Sequence, residues 1–252
     1  MPRGNFGEIR AFNDFTGTYE DVTWGAATVE LGGGWGLYSV NEGTIQDVKD
    51  EEGGIIQLLT DTGDNDNAAL VAGPFKPSNG GCAMEARFKV ADDLNVALFA
   101  GFSETMASGT PVMPAEYATA TMTINGSGGV AGLQFDLDGS STDYFYTASG
   151  DAGAVTGTNK KGTAITATTT TKSDQTVTAD KFIVARVEIS PSGRIEYLLS
   201  ADTELTQVES ITGAITASDL FYAVLMIENR EAAAKEFEVD YVYARGFRDW
   251  TA

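Results

Sequence analysis

Alternation with a period of two dominates the chain. From Cys82 to Val90, residues Cys82, Met84, Ala86, Phe88 and Val90 fall on one side, with Ala83, Glu85, Arg87 and Lys89 on the other. Such a segment is a strand with one buried and one wet face. Ile183, Ala185, Val187 and Ile189 are set against Arg186 and Glu188 in the same way. Phe237, Val239, Tyr241 and Tyr243 alternate with Glu236, Glu238, Asp240 and Val242. Further strands are expected at Gly36–Val40, Ile55–Leu59, Ala68–Ala72, Val96–Ser103, Thr119–Asn125, Val130–Leu137, Tyr144–Ala148 and Arg194–Leu199. Leu220 to Ile227 is apolar on both of its sides, which predicts a central strand covered on each face. One-sided strands plus one fully covered strand predict two stacked sheets.

Helical periodicity is nearly absent. The helix-favouring run from Glu228 to Lys235 is too short to stand alone and reads as a turn or short helix between strands. Ser190-Pro191-Ser192-Gly193 reads as a tight hairpin turn. Two segments read as long surface loops: Met106 to Tyr117, with Pro111 and Pro114, and Ser149 to Asp180. Within the second, Thr166 to Thr171 is either a β-ribbon or a flexible loop. Neither segment divides the chain into two complete sets of strands. The expectation is an all-β, two-sheet antiparallel sandwich spanning 1–252 as one domain, with an N-terminal arm (about 1–12) and an insertion (about 149–180).

Charge and composition narrow the chemistry. The formal net charge is −20, which repels phosphate backbones and anionic membranes. No direct nucleic-acid or membrane partner is expected. No run approaches the length of a membrane span. Met1 to Phe6 lacks the apolar core of a signal peptide, so synthesis in a cytoplasm is expected. There is no histidine and one cysteine, Cys82. That removes an intrachain disulfide, the commonest general base and every His-dependent nucleophile system. No Gly-x-Ser-x-Gly elbow or phosphate loop occurs. Cys82 lies on the apolar side of its strand and reads as an inert core thiol.

Three groups of residues are candidates for binding. Asp61, Asp64 and Asp66 lie in an Asp/Asn-rich stretch. Its hard oxygens suit Ca²⁺ or, alternatively, only a polar turn. Nothing requires a cofactor, and Ca²⁺ is the one that fits. Trp24, Trp35, Tyr38, Tyr144, Tyr146, Tyr241 and Tyr243 form either a sugar-stacking platform or part of the core. Near the ends, Arg3, Phe6, Arg10 and Phe12, then Arg245, Phe247, Arg248 and Trp250, mix basic and aromatic groups. These residue types are enriched at interface centres, so both ends are candidates for docking onto another subunit. Asp136 and Asp138 share a strand side just before Gly139-Ser140-Ser141 and are either a further cation-binding pair or only strand-end residues.

Three segments resemble the concanavalin-A-like lectin/glucanase superfamily. Phe12-Asn13-Asp14-Phe15 with Gly17 is similar to its opening strand. Phe182 to Ile189, followed by Pro191 to Tyr197, resembles its back-sheet hairpin, and Phe237 to Ala244 its closing strand. The resemblance implies a jelly roll. The laminarinase-like Glu-x-Asp-x-x-Glu motif is missing, with Tyr243 standing where its last Glu would follow Glu238 and Asp240. Hydrolysis is therefore not carried over, and no enzyme is expected. The acidic, His-free, Gly/Thr/Ala-rich texture, including Asp138 to Tyr146, resembles structural proteins of tailed phages. That likeness implies a virion protein, a capsid decoration or cement subunit. It would dock on the major capsid protein or another virion subunit as a homo-oligomer. The alternative is a carbohydrate-binding module on a phage tail fibre or a cell surface, with glycan as partner.

Overall fold

In the computed structural model the described residues are 7–16, 22–24, 29–41, 43–48, 54–90, 94–107, 110–118, 121–139, 143–200 and 204–249. The alternating segments meet in a back sheet of ten strands. Its order runs Thr158–Asn159, Thr206–Thr212, Ile195–Ser200, Ile183–Ile189, Cys82–Val90, Glu236–Phe247, Ile56–Leu59, Gly43–Asp47, Val22–Trp24. The long strand Glu236–Phe247 carries Ile56–Leu59 along its first half and Glu8–Asn13 along its second. The three segments that suggested a lectin-like jelly roll all contribute strands to this sheet. The front sheet has nine strands. Its order is Ala154–Val155, Tyr144–Asp151, Gly129–Asp136, Val96–Ser103, Phe221–Asn229, Asn67–Phe75, Trp35–Val40, Val29–Gly32, with Lys172–Thr176 beside Tyr144–Asp151. Every pairing is antiparallel.

Back-sheet strands bury one side, as their alternation predicts. In Cys82–Val90 the even-numbered residues are buried while Glu85, Arg87 and Lys89 stay partly exposed. The buried side meets the front sheet through aromatic contacts. Phe88 packs on Phe145 and Phe237, and Phe135 on Phe145, with ring centroids 6.4, 5.3 and 5.9 Å apart. Such pairs contribute about 0.5–1.5 kcal/mol each beyond area burial. Front-sheet strands are covered twice. Val96–Ser103 and Gly129–Asp136 are buried at every residue, and Phe221–Asn229 at all but Tyr222.

The second cover is a hairpin, Ala115–Ala118 with Thr121–Ile124, that has no backbone ladder to either large sheet. It lies on the outer face of the front sheet. Met113, Ala115, Tyr117, Met122 and Ile124 are buried there, and the Tyr117 ring meets Tyr146 edge-on at 5.0 Å. The expected surface loop from Met106 to Tyr117 is thus corrected, because its last residues are core. Met113, Ala115 and Tyr117 alternate, but the prolines before them mask the pattern. Thr166–Thr171 is not a ribbon but a turn closed by hydroxyls, with the Thr166 N–H donating to Thr169 Oγ1 at 2.8 Å. Residues 230–233 are a bend, not a helix.

Candidate functional site

At one end of the front sheet, strand register sets Asp136 level with Ala97 and Glu228 level with both Ala97 and Asn67. These side chains point to the outer face, under the covering hairpin. Arg230, just past the end of its strand, fills the space between them. Its guanidinium lies 2.8 Å from Asp136, 2.7 Å from Glu228 and 3.3 Å from Glu116 of the hairpin. The Asp136 side chain is fully buried, and it also accepts the Tyr117 N–H at 3.0 Å. Burial raises the Glu228 carboxyl to about 8, aided by Glu116 and opposed by Arg230. Burial thus favours the protonated form of Glu228 over the carboxylate. Three carboxyls converge on one guanidinium, so the protein supplies its own cation there. The proposed Asp136–Asp138 cation pair is overturned: Asp136 is spent on Arg230, and its Oδ1 accepts the Asp138 N–H.

Beyond the reach of the hairpin, the outer face of the front sheet opens into a groove of about 230 Å³. Its floor is Gly36 and Val71, which are register partners. Tyr38 and Tyr222 stand on either side, each partly exposed, and the exposed Glu30 lies opposite Gly36 at the edge. The glycine leaves the floor low, and both tyrosines stay partly exposed above it. Burial, then Tyr222 and Glu30, push the Tyr38 hydroxyl above the ordinary phenol range. The Tyr38 phenol is therefore a neutral donor at pH 7. Tyr38 was among the aromatic candidates. Tyr222 and Glu30 were not, because Tyr222 sits in a run that reads as covered on both faces.

The remaining aromatic candidates separate. Trp35 is fully buried, with its Nε1 unpaired among the described residues. Tyr146 lies under the hairpin, and Tyr144 carries the Lys172 ammonium 3.7 Å above its ring. Tyr241 and Tyr243 belong to the back sheet, and the Trp24 side chain lies outside the described residues. Cys82 is buried and its thiol pushed far up by desolvation, as expected of an inert thiol.

The acidic loop turns inward on itself. Asp66 accepts the Gly63 N–H at 2.7 Å and a hydrogen bond from Asn41. Asp61 accepts the Thr62 N–H at 2.7 Å, and Asp64 is exposed. Among the described residues no group of three or more acidic, Cys or His side chains is arranged to hold a metal ion. The ends of the chain, by contrast, come together. Glu8–Asn13 pairs with Glu236–Phe247 so that Arg10 faces Arg245 and Phe12 faces Tyr243. Phe12 is 50% exposed, and Arg248 is exposed nearby. Arg3, Phe6 and Trp250 lie outside the described residues.

This architecture is the concanavalin-A-like jelly-roll sandwich. Among solved structures, the chain is similar to a protein of unknown function from Shewanella oneidensis MR-1, with a TM-score of 0.59 at 12% identity over 97% of this chain and 89% of that one. It is similar to peanut lectin, solved with a 9-residue peptide, with a TM-score of 0.53 at 9% identity over 92% of this chain and 100% of that one. It is also similar to the potassium-bound Emp46p carbohydrate recognition domain, with a TM-score of 0.51 at 14% identity over 84% and 88% of the two chains. At these identities the likeness is one of fold. No protein-family model and no curated protein sequence matches the chain.

Proposed function

We propose that this protein is a non-catalytic carbohydrate-binding module and that the Tyr38–Tyr222 groove takes a neutral sugar. The observation that carries the reading is the pair of partly exposed tyrosines over a Gly36–Val71 floor with Glu30 at the rim. Aromatic rings bind the C–H faces of sugars by burial of apolar area, and a carboxylate accepts hydroxyl hydrogens in charge-assisted bonds. Similarity of fold to a carbohydrate recognition domain and a lectin supports the same class. A neutral-glycan array probed with the wild type, Tyr38→Ala and Tyr222→Ala tests it. Signal from the wild type and loss in both variants is expected. No wild-type binding, or equal binding by all three, overturns it.

A second reading is a structural subunit of a tailed-phage head, docking on the major capsid protein as a homo-oligomer. One observation favours it: the paired terminal strands set exposed Phe12 beside Arg10 and Arg245 on one face. Counting copies of this chain in purified particles by mass spectrometry decides it. A copy number near that of the major capsid protein supports the reading, and absence rejects it.

A further inference from the structure

The outer face of the back sheet carries a second cavity, of about 250 Å³, that the tyrosine groove does not explain. Strand register sets one row along this face, Arg10, Arg245, Ala83, Glu188, Glu196 and Ser210, and of these Arg245, Glu188 and Glu196 line the cavity. Two arginines stand on one side of Ala83 and two glutamates on the other. Phe247, Pro191 and the Gly80–Gly81 backbone close the cavity along its length. The two glutamates are already neutralised. Glu188 accepts from Arg186 at 2.7 Å, and Glu196 pairs with Arg194 at 2.8 Å. Arg10 is held by Glu8 at 2.9 Å. Arg245 has no hydrogen-bond or ion-pair partner among the described residues, although it lies directly opposite another arginine. Like charges opposed on neighbouring strands are destabilising. Glu8 is the one carboxylate among the described residues that acts on both arginines, and its hydrogen bond goes to Arg10; two guanidiniums sharing one carboxylate beside a cavity leave a positive charge that favours an anion.

We propose that this cavity binds a sugar acid, its carboxylate on Arg245 and its hydroxyls on Glu188 and Glu196. Arg245 and Glu188 are two strands apart, roughly 10 Å between backbones, which leaves a monosaccharide's width between their side chains. Because Arg186 and Arg194 neutralise the glutamates, those carboxylates accept from neutral hydroxyls and do not demand an ammonium. Phe247 offers a ring wall to the sugar's C–H face. This is a second site, on the opposite sheet from the tyrosine groove, and it stands whether or not that groove binds neutral glycan. Calorimetric titration of a galacturonate disaccharide into the full chain tests it. Arg245→Gln is expected to weaken binding at least tenfold, Tyr38→Ala to leave it unchanged, and galactose not to compete. Raising salt from 50 to 500 mM is expected to weaken it further. No uptake, equal uptake by Arg245→Gln, or competition by galactose overturns the proposal. So does a glutamate-rich peptide binding as tightly as the uronide, which would make the cavity a carboxylate reader with no sugar preference. Arg245→Gln removes a like-charge contact, so it is expected to fold, and an unchanged thermal midpoint checks that.

Discussion

Replacing Glu228 by glutamine isolates one buried proton. The Glu228 carboxyl titrates near 8 in the folded protein, against 4.5 for an unperturbed glutamate. The folded state therefore keeps a proton that the unfolded state releases above pH 4.5. Stability contributed by that proton is full below about pH 4.5 and is lost as pH rises toward 8. The slope in that window is about 1.4 kcal/mol per pH unit, and the whole loss is on the order of 5 kcal/mol. Glutamine copies the protonated acid. Its carbonyl accepts from Arg230 where Glu228 Oε1 does at 2.7 Å, and its amide donates where the acid proton faces Glu116. The weak 3.5 Å bond from Asn67 is lost. Urea unfolding of both proteins from pH 5 to pH 9 gives the comparison, because every other titrating group cancels in the difference. Glu228→Gln is expected to be slightly less stable at pH 5 and to gain on the wild type with each pH unit. Curves that stay parallel across the range would refute the protonated assignment and the reading of Arg230 as the cluster's single cation.

Other outcomes follow from the same geometry. Arg230→Met leaves buried Asp136 without its counter-ion and is expected to cost about 3–5 kcal/mol at pH 7, measured by denaturant unfolding. A Cβ at Gly132 would lie 2.2 Å from the Phe99 ring and one at Gly101 would lie 2.3 Å from the Ala131 carbonyl oxygen. Gly101→Ala is expected to be the more damaging, because backbone cannot move aside, and Gly132→Ala to cost about 1–3 kcal/mol; thermal melts rank them. Chelator is expected to leave both the melting midpoint and glycan binding unchanged, since Arg230 occupies the carboxylate cluster and the Asp61–Asp66 loop spends two of its carboxylates on backbone donors. Thiol reagent is expected to modify Cys82 only on unfolding, given its burial.

In the back sheet, Cys82–Val90, Ile183–Ile189 and Glu236–Phe247 were legible because each has one wet face and alternation is the trace of that difference, whereas Gly43–Asp47 and Thr206–Thr212 went unread. Glu85, Arg87 and Lys89 announce a strand that a uniformly buried segment cannot. The front sheet left a weaker trace. Val96–Ser103 and Phe221–Asn229 are covered on both sides, so only their length and β-branched or aromatic content marked them. One strand of the covering hairpin, expected over Thr119–Asn125, lies at Thr121–Ile124; its partner Ala115–Ala118 falls within the expected loop because its support is tertiary. The ion network was also invisible, since Arg230 and Glu116 are separated by 114 positions and no local spacing links them. The groove has the same origin: Glu30, Tyr38 and Tyr222 become neighbours only through strand register.

The hairpin decides where this fold can bind anything. It holds the outer face of the front sheet through side chains and a few isolated backbone bonds. Asn67 donates to the Pro111 carbonyl at 3.0 Å, Asp136 accepts the Tyr117 N–H at 3.0 Å, and Met122 donates to Ala167 at 3.3 Å. Arg230 ties Glu116 to the same carboxylates that anchor the sheet end. Tyr146 beneath it is thereby removed from water, a gain of about 25 cal/mol for each Å² of apolar area. A ligand approaching that face meets the chain's own hairpin. Tyr38 and Tyr222 remain open because the hairpin covers the Glu228 end of the sheet and not theirs, and Gly36 leaves the floor between them low. In the proposed binding mode, access on this side is therefore set by the length of the covering segment as much as by the residues of the groove.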